Sequence, residues 1–267
     1  MKTLKELMDL RGRVAVVTGG GGHLGAVLGE ALAELGARIA VVDVRADAGE
    51  AAARRIREAF NVDAQSLPAD LAREEEVRAL PSAVLEQFGR LDILVNCAAL
   101  VGTSDLQGWA VAFEKQSPAT WRRALEINLT APFVLAQAAA AALRASGHGT
   151  VINVLSTYGL VGPDLGLYAG TALGNPAAYG ASKGGLLQLT RWLATVLAPD
   201  IRVNALSPGG IERGQPAAFQ ERYRARTPLR RMAAEEDFKG AVAYLASDLS
   251  AYVTGQNLVV DGGWTAW

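Results

Sequence analysis

Two side chains four positions apart, those of Tyr179 and Lys183, could together move a proton. In a helix, residues at this spacing lie on one face, one turn apart. A free phenol has a pKa of about 10, which is too high for useful acid–base chemistry at neutral pH. A neighbouring ammonium group favours the phenolate and lowers that pKa. The pair is therefore a candidate general acid/base, although the same spacing also occurs by chance on solvated helix faces.

A glycine-rich turn near the N-terminus is suited to bind a dinucleotide. Gly20-x-Gly22-x-x-Gly25 follows a β-branched run ending at Thr18 and opens a helical pattern. Small residues let the backbone approach a pyrophosphate at a helix N-terminus, where the helix dipole favours anions. Asp43 ends the next predicted strand and could bind ribose hydroxyls while repelling a 2′-phosphate, which favours NAD over NADP. Arg45 opposes that preference, and a structural glycine turn with an incidental aspartate is the alternative interpretation.

A scaffold of alternating strands and helices would position these residues. Strand patterns cover residues 13–18, 38–43, 62–67, 91–96, 150–155, 201–206 and 257–260. Helical patterns cover residues 23–36, 47–60, 73–88, 118–144, 176–197 and 235–246. Regular alternation predicts an α/β fold, a single doubly wound parallel-sheet Rossmann domain over residues 1–267 with helices on both faces.

Composition excludes several classes of protein. The chain has 267 residues, half of them hydrophobic, and a formal net charge of -1, so no basic field indicates nucleic acid. The single cysteine, Cys97, excludes an intrachain disulfide and a cysteine zinc site, and no metal site is predicted. Charged residues interrupt any N-terminal signal peptide, and the apolar helical run from Phe133 to Leu143 is too short to span a bilayer. We therefore expect a soluble cytoplasmic protein with a small-molecule substrate and no nucleic-acid or membrane partner.

The ordered motifs of the chain resemble those of the short-chain dehydrogenase/reductase family, in its short single-domain branch. The resemblance covers nearly the whole chain and rests on Thr18-Gly19-x-x-x-x-Leu24-Gly25, Asp70-Leu71, Asn96-Cys97-Ala98-Ala99, Asn128, Ser156, Tyr179-x-x-x-Lys183, Pro208-Gly209 and Val260-Asp261-Gly262-Gly263. A narrower likeness, to members encoded with flagellar and surface-sugar pathways, rests on Gly174-Asn175-Pro176 and residues 207–211.

The resemblance implies a role for each matching residue. Tyr179 would be the general acid/base, and Lys183 would lower its pKa and bind the nicotinamide ribose. Ser156 would hydrogen-bond the reacting oxygen, and Asn128 would anchor a proton relay to solvent. The implied cofactor-binding residues are Gly19, Gly22, His23, Leu24, Gly25, Asp43, Asp70, Leu71, Asn96, Ala98, Tyr179, Lys183, Pro208, Gly209 and Ile211. The family also implies a homotetramer.

Some positions depart from the family pattern. His23 replaces the second fingerprint glycine, and the frame Thr18-Gly19-x-x-Gly22-x-x-Gly25 resembles the extended branch, which includes enzymes of nucleotide sugars. Ala98-Ala99 replaces the usual Ala-Gly. Glu212-Arg213 stands where a cofactor-binding threonine is common. These departures bear on the cofactor contacts rather than on the catalytic residues.

Two segments on the substrate side are unusual. The stretch between Ser156 and Tyr179 is longer than is usual in the family, and its insertion, at about residues 160–175, carries hydroxyls, an amide and a carboxylate. These groups suit a polyhydroxylated substrate, and a surface loop or subunit contact is the alternative. The second segment, residues 210–232, would be a substrate lid rich in arginine. An arginine fork suits a phosphate or carboxylate, whereas a solvated helix face is the simpler interpretation.

The sequence therefore predicts an NAD-dependent oxidoreductase that transfers a hydride between nicotinamide and a secondary alcohol or ketone of a sugar or sugar derivative. A 3-oxoacyl-thioester reductase, a sugar epimerase and a nucleotide-sensing protein without turnover are the alternatives. An acyl reductase would prefer NADPH and an apolar channel. An epimerase would retain NAD without net turnover. A pure sensor has no need of Asn128, Ser156, Tyr179 and Lys183 together.

Overall fold

Seven parallel strands form one sheet in the computed structural model, which describes all 267 residues. The strand order is β3-β2-β1-β4-β5-β6-β7. The strands are β1 (Val14–Thr18), β2 (Arg38–Asp43), β3 (Ala64–Pro68), β4 (Ile93–Asn96), β5 (Gly149–Val154), β6 (Ile201–Pro208) and β7 (Asn257–Val260). The parallel sheet that the alternation predicted is confirmed.

Helices cover both faces of the sheet, which explains why the central strands are continuous apolar runs. The helices are α1 (Leu4–Met8), α2 (His23–Glu34), α3 (Ala46–Phe60), α4 (Glu74–Phe88), α5 (Pro118–Leu125), α6 (Ala131–Ser146), α7 (Ala177–Val196), α8 (Ala217–Arg226) and α9 (Lys239–Ala246). One core cluster joins the sheet to α2, α3 and α9, and a second joins it to α4, α6 and α7. Helices on both faces of one parallel sheet make up the predicted doubly wound arrangement.

The chain order of the strands reverses next to β1. From β1 the chain builds outwards through β2 and β3, and it then returns to add β4 on the other side of β1. In open parallel sheets, ligands bind outside the carboxyl ends of the strands at such a reversal. The glycine turn after β1 and the segment after β4 therefore meet at one edge, which is where the candidate site lies.

The long helix predicted from Pro118 is not a uniform α-helix. A π-helical turn over Glu126–Thr130 separates α5 from α6. Asn128 lies at the middle of this turn, and its side chain is completely buried. Single π-turns often occur at functional sites, because they place one side chain where an α-helix would not.

The helical stretch Pro118–Ser146 is long and apolar enough to cross a membrane by length and composition alone. However, 44% of its most apolar window is buried inside the fold, and α6 packs against α4 and β5. Core helices of globular proteins pass the same test, so this stretch is weak evidence for a membrane span.

Candidate active site

The glycine turn after β1 leaves no room for side chains at two of its positions. Gly19 has φ of +66°, and a Cβ there would lie 2.8 Å from the backbone of Ala98. A Cβ at Gly25 would collide with the carbonyl oxygen of Gly19. Gly19 therefore lets the turn pass close to the segment after β4, and Gly25 lets α2 start directly against the turn.

Helix α2 begins with free hydrogen-bond donors. Its N-cap, Gly22, has no side chain to cap the helix. The backbone N–H groups of His23, Leu24 and Gly25 have no acceptor in the protein, whereas that of Ala26 donates to the carbonyl of Gly22. Free N–H groups at the positive end of a helix dipole form an anion site.

Asp43 lies at the carboxyl end of β2 with its carboxylate held in place. One oxygen accepts from the backbone N–H of Gly21 at 3.0 Å, and the other accepts from the backbone N–H of Arg45 at 3.0 Å. The Arg45 guanidinium approaches the same carboxylate at 3.6 Å from a mostly exposed position. A fixed carboxylate and a mobile cation thus lie together beside the predicted ribose site.

The predicted acid/base pair lies on one face of α7, and both side chains point into the cleft. The Lys183 Nζ donates to the carbonyl oxygen of Val154 at 2.7 Å, and it lies 6.0 Å from the centre of the Tyr179 ring. Burial lowers the pKa of Lys183 to about 8. The bond to β5 fixes the ammonium group beside the phenol without a carboxylate to neutralise it.

Ser156 lies just after β5, on the same side of the cleft as Tyr179. Burial raises the pKa of the Tyr179 phenol, and the nearby Ser156 hydroxyl opposes that rise. The Ser156 oxygen also accepts from the backbone N–H of Tyr158 at 3.2 Å, so its position is fixed by the turn that follows the strand. A hydroxyl and a phenol are therefore directed at one point.

The Asn128 side chain bonds to neighbouring segments of the chain and does not line the cleft. Its Oδ1 accepts from the Leu100 N–H at 2.7 Å, and its Nδ2 donates to the Leu100 carbonyl at 3.0 Å. The same Nδ2 donates to the Ser182 hydroxyl on α7 at 3.1 Å. The side chain thus ties the segment after β4 to the helix of the acid/base pair, and both of its N–H donors are used in doing so.

One cleft of about 870 Å³ brings together almost all of the predicted site residues. Asn96 and Asn128 are the two that do not line it. The Asn96 Nδ2 donates to Asn153 at 2.8 Å beneath the cleft, so its side chain joins β4 to β5. The predicted residues that line the cleft are Gly19, Gly22, His23, Leu24, Gly25, Asp43, Asp70, Leu71, Ala98, Ser156, Tyr179, Lys183, Pro208, Gly209 and Ile211.

An aromatic wall lines part of the cleft, and the sequence did not reveal it. We use this name for Tyr158, Tyr168, Phe219, Tyr223 and Trp264, whose rings contact one another at centroid distances of 5.4–6.0 Å. All but Trp264 line the cleft. Its members come from the turn after β5, the insertion, α8 and the C-terminal end. Only the fold brings them together, and the one signal in the sequence was the aromatic content of both substrate-side segments.

Most arginines of the second segment hold structure together. Arg222 donates to the carbonyls of Leu167 and Ala169 in the insertion, and Arg226 pairs with Asp164 at 3.0 Å. Arg224, Arg230 and Arg231 bond to Glu212, the Ala225 carbonyl and Asp237. Arg213 alone among these lines the cleft, where its Nε donates to Glu235 at 2.8 Å. An anion-binding lid made of several arginines is therefore not present.

The chain is similar along nearly its whole length to characterised dehydrogenases. Residues 23–265 match the family model described as enoyl-(acyl carrier protein) reductase. A cis-4-hydroxycyclohexanecarboxylate dehydrogenase of Sinomonas cyclohexanicum is 36% identical, over 95% of this chain and 97% of its own. The probable galactose dehydrogenase of Rhizobium meliloti (strain 1021) is 36% identical, over 97% of both chains. The D-threitol dehydrogenase of Mycolicibacterium smegmatis is 33% identical, over 96% of this chain and 94% of its own.

Solved structures have the same fold. A short-chain type dehydrogenase/reductase from Mycobacterium marinum superposes with a TM-score of 0.87 and 30% identity, over the whole of both chains. A gluconate 5-dehydrogenase from Burkholderia cenocepacia J2315, in complex with NADP and tartrate, gives 0.86 and 32%, over 99% of this chain and all of its own. An NAD+-bound xylitol dehydrogenase gives 0.85 and 32%, over 95% of this chain and 99% of its own.

Proposed function

The chain belongs to the short-chain dehydrogenase/reductase family of oxidoreductases, and we propose that it oxidises a secondary alcohol of a sugar or sugar derivative with NAD, or reduces the matching ketone. The observation that carries the proposal is the convergence of Ser156, Tyr179 and Lys183 in the cleft that starts at the glycine turn. Relatives that act on cyclic alcohols, sugars and sugar alcohols support a secondary alcohol as the reacting group.

The three side chains have separate tasks in the reaction. In oxidation, the Tyr179 phenolate takes the hydroxyl proton of the alcohol while the carbinol C–H bond breaks. A nicotinamide dinucleotide, when bound in the cleft, would supply the acceptor for the hydride. Ser156 donates a hydrogen bond to the reacting oxygen and orients it. Lys183 supplies a fixed positive charge that favours the phenolate, and in the reverse direction the neutral phenol returns the proton to the ketone oxygen.

The residues of the cleft fit a nicotinamide dinucleotide. The free N–H groups at the start of α2 suit its diphosphate, and the glycine turn leaves the room that a Cβ at Gly19 or Gly25 would fill. Asp43 suits two free ribose hydroxyls and disfavours a 2′-phosphate. Similar structures hold NAD+ in one case and NADP in another, so the choice of NAD rests on Asp43 in this chain.

The substrate end of the cleft favours a compact, polar molecule. The aromatic wall lines this end, and Tyr158, Tyr168 and Asn175 add two phenols and an amide to it. A gluconate 5-dehydrogenase and a xylitol dehydrogenase, both named for polyhydroxylated molecules, are among the similar structures. A sugar, a sugar acid or a related cyclic alcohol therefore suits this space.

A 3-oxoacyl-thioester reductase remains the second candidate, since such an enzyme from Aquifex aeolicus is 29% identical to this chain over 96% of it. Two observations count against it here. The Tyr158 and Tyr168 phenols and the Asn175 amide at the substrate end do not suit a long apolar acyl chain, and Asp43 disfavours NADPH. An epimerase or a sensor without turnover is less well supported, because every similar protein named above is an oxidoreductase.

Turnover with purified protein tests the proposal. The panel contains gluconate, galactose, D-threitol, xylitol and cis-4-hydroxycyclohexanecarboxylate, each with NAD and with NADP, followed by nicotinamide absorbance. We expect oxidation of at least one panel alcohol, and a higher kcat/KM with NAD. Calorimetry should also give tighter binding of NAD than of NADP, with Asp43→Ala narrowing the difference. Turnover of 3-oxoacyl thioesters alone would instead favour the acyl reductase, and tightly retained NAD without net turnover would favour an epimerase.

A further inference from the structure

We propose that Tyr158 and Tyr168 form a substrate subsite that donates a hydrogen bond to a second oxygen atom of the substrate, remote from the reacting carbon. This inference rests on the proposed function and deepens it. It assigns the substrate to compact alcohols that carry a further hydroxyl or carboxylate. The two residues are outside the motifs of the family, since Tyr168 lies in the insertion and Tyr158 in the turn after β5.

The hydrogen bond between the two phenols leaves one donor unused. The Tyr168 hydroxyl donates to the Tyr158 oxygen at 3.0 Å, and the Asn175 amide approaches the Tyr168 oxygen at 3.5 Å. Two phenols that share one hydrogen bond keep a second hydrogen, whichever of them donates. No protein acceptor is present for that hydrogen, and all three residues line the cleft that contains Tyr179. The free donor therefore faces substrate space.

Packing holds both rings where they are. Tyr158 makes an edge contact with Trp264 at 5.7 Å, and Tyr168 packs on Phe219 at 5.4 Å, both measured between ring centres. Arg222 bonds to the carbonyl of Ala169 next to Tyr168, so the insertion is anchored on α8. Donors fixed in this way lose little rotational entropy when a ligand arrives, which makes them selective for an acceptor at one position.

The pair is suited to binding and not to proton abstraction. Burial raises the pKa of Tyr158 further above its ordinary value, and the nearby Tyr168 adds to the rise. Lys183 lies beside Tyr179 and donates to Val154, and Tyr158 has no ammonium partner of this kind. Tyr158 therefore remains a neutral donor near neutral pH, while Tyr179 keeps the acid/base role.

The position of the subsite limits the substrate. Tyr158 and Tyr168 line the same cleft as Tyr179, and Tyr158 follows Ser156 by two residues, so the pair lies near the reacting centre. A second oxygen a few bonds from the carbinol carbon could reach the free donor. A simple alkyl alcohol would leave that donor buried without an acceptor, and sites built around such a donor reject analogues that lack the oxygen.

A matched pair of alcohols tests this directly, namely cyclohexane-1,4-diol and cyclohexanol, which differ only in the distal oxygen. With NAD, wild type is expected to prefer the diol by at least ~10-fold in kcat/KM. Tyr158→Phe should reduce that preference to below ~3-fold, chiefly by raising KM for the diol, and leave cyclohexanol within ~3-fold of wild type. Tyr168→Phe should also reduce the preference for the diol, because the Tyr158 hydroxyl then loses the hydrogen bond that orients it. NAD affinity by calorimetry should not change in either variant.

The control is Tyr252→Phe, which removes a phenol that is fully exposed, and it should leave both alcohols unaffected. Equal effects of Tyr158→Phe on the two alcohols would overturn the subsite. The subsite would also be overturned if wild type showed no preference for the diol over cyclohexanol. The same holds if wild type oxidised alcohols of the panel but neither of the two cyclohexane alcohols. Should Tyr158→Phe fail to fold, Tyr168→Phe supplies the same comparison. Failure of wild type to oxidise any alcohol would instead overturn the proposed function itself.

Discussion

At the scale of single residues, the site depends on two ionisable side chains, a half-buried tyrosine and a buried lysine. Desolvation raises the pKa of Tyr179 and lowers that of Lys183, and the hydrogen bond to Val154 fixes the position of the lysine. Desolvation thus moves the two pKa values apart, while the charge of the ammonium favours the phenolate. The protonation state of Tyr179 therefore depends on whether Lys183 is charged, and that of Lys183 depends on Tyr179.

Removal of the phenolic oxygen alone tests the role of Tyr179. Tyr179→Phe should lower kcat by at least ~10²-fold, the lower end of the usual contribution of a general acid/base. It should leave NAD affinity within ~3-fold, because the ring and its packing remain and only one hydroxyl is lost. Steady-state kinetics and calorimetry measure the two effects. The Tyr252→Phe variant, which removes a fully exposed phenol, is the control, and substantial residual turnover in Tyr179→Phe would mean that another group is the base.

The buried lysine should make stability depend on pH. Its folded pKa of about 8 lies below the unfolded value of 10.5, so between these values the unfolded chain binds more protons and stability rises with pH. Below about pH 8 the full cost, roughly 3 kcal/mol, is present. The stability of Lys183→Met relative to wild type should therefore be higher at pH 7 than at pH 10, as measured by urea unfolding. The lost charge-assisted bond to Val154 costs about 1.5–3 kcal/mol and offsets part of the gain at pH 7. A stability difference that stays constant with pH would contradict the lowered pKa.

Residues that act in the cleft were predictable from sequence, and those that act beneath it were less so. Tyr179, Lys183 and Asp43 face ligand space, so their chemistry can be read from residue type and spacing. Asn96 and Asn128 matched motifs equally well, yet their amides bond to Asn153, Leu100 and Ser182 and do not line the cleft. Which partner an amide finds depends on residues far away in the chain, and no spacing in the sequence encodes that.

At the scale of elements, the strands and long helices were predictable because their apolar residues follow the period of the element. The π-turn at Glu126–Thr130 was not, since the flanking helices share one continuous apolar pattern. It depends on the tertiary hydrogen bonds of Asn128 to Leu100 and Ser182. The aromatic wall was missed for the same reason, as four separate segments supply it.

The anchoring of the insertion on α8 can be tested through Arg226. This side chain pairs with Asp164 at 3.0 Å, and its guanidinium carbon lies 4.7 Å from the centre of the Trp264 ring. Arg226→Ala should raise KM for the oxidised alcohol several-fold and change kcat little, because the wall loosens while Tyr179 and Lys183 stay in place. Steady-state kinetics on the best panel alcohol measures both values.

The partner residue completes this test. Asp164→Ala should raise KM similarly, and the double variant should be no worse than either single one, because both substitutions remove the same contact. Arg230→Ala is the control, since Arg230 bonds only to the Ala225 carbonyl of its own segment. Additive effects of Arg226→Ala and Asp164→Ala would mean that the ion pair does not anchor the insertion.

At the scale of the whole molecule, both faces of the sheet are covered, yet apolar surface remains outside. Trp121 on α5, Phe133 on α6, and Trp192 and Val196 on α7 are each more than a third exposed. Helix α5 and the π-turn pack against α7, so these helices form one continuous outer layer. A monomer rarely leaves so many large apolar side chains on neighbouring helices in water, and a subunit interface is the usual reason.

The family resemblance predicts a homotetramer, this surface would supply an interface for it, and the mass can be measured. Light scattering at micromolar concentration should give about four times the chain mass of 28.0 kDa. Trp192→Glu should lower the mass, because Trp192 is 53% exposed in the single chain and a carboxylate buried at its position in an interface would have no partner. Leu4→Glu is the matched control, since Leu4 is 73% exposed on α1, which contacts the turn at Asp248–Ser250 and not this layer. A monomeric mass for wild type would refute the tetramer. An unchanged mass for Trp192→Glu would move the interface away from α7, and the apolar side chains of α5 and α6 would then be the next to replace.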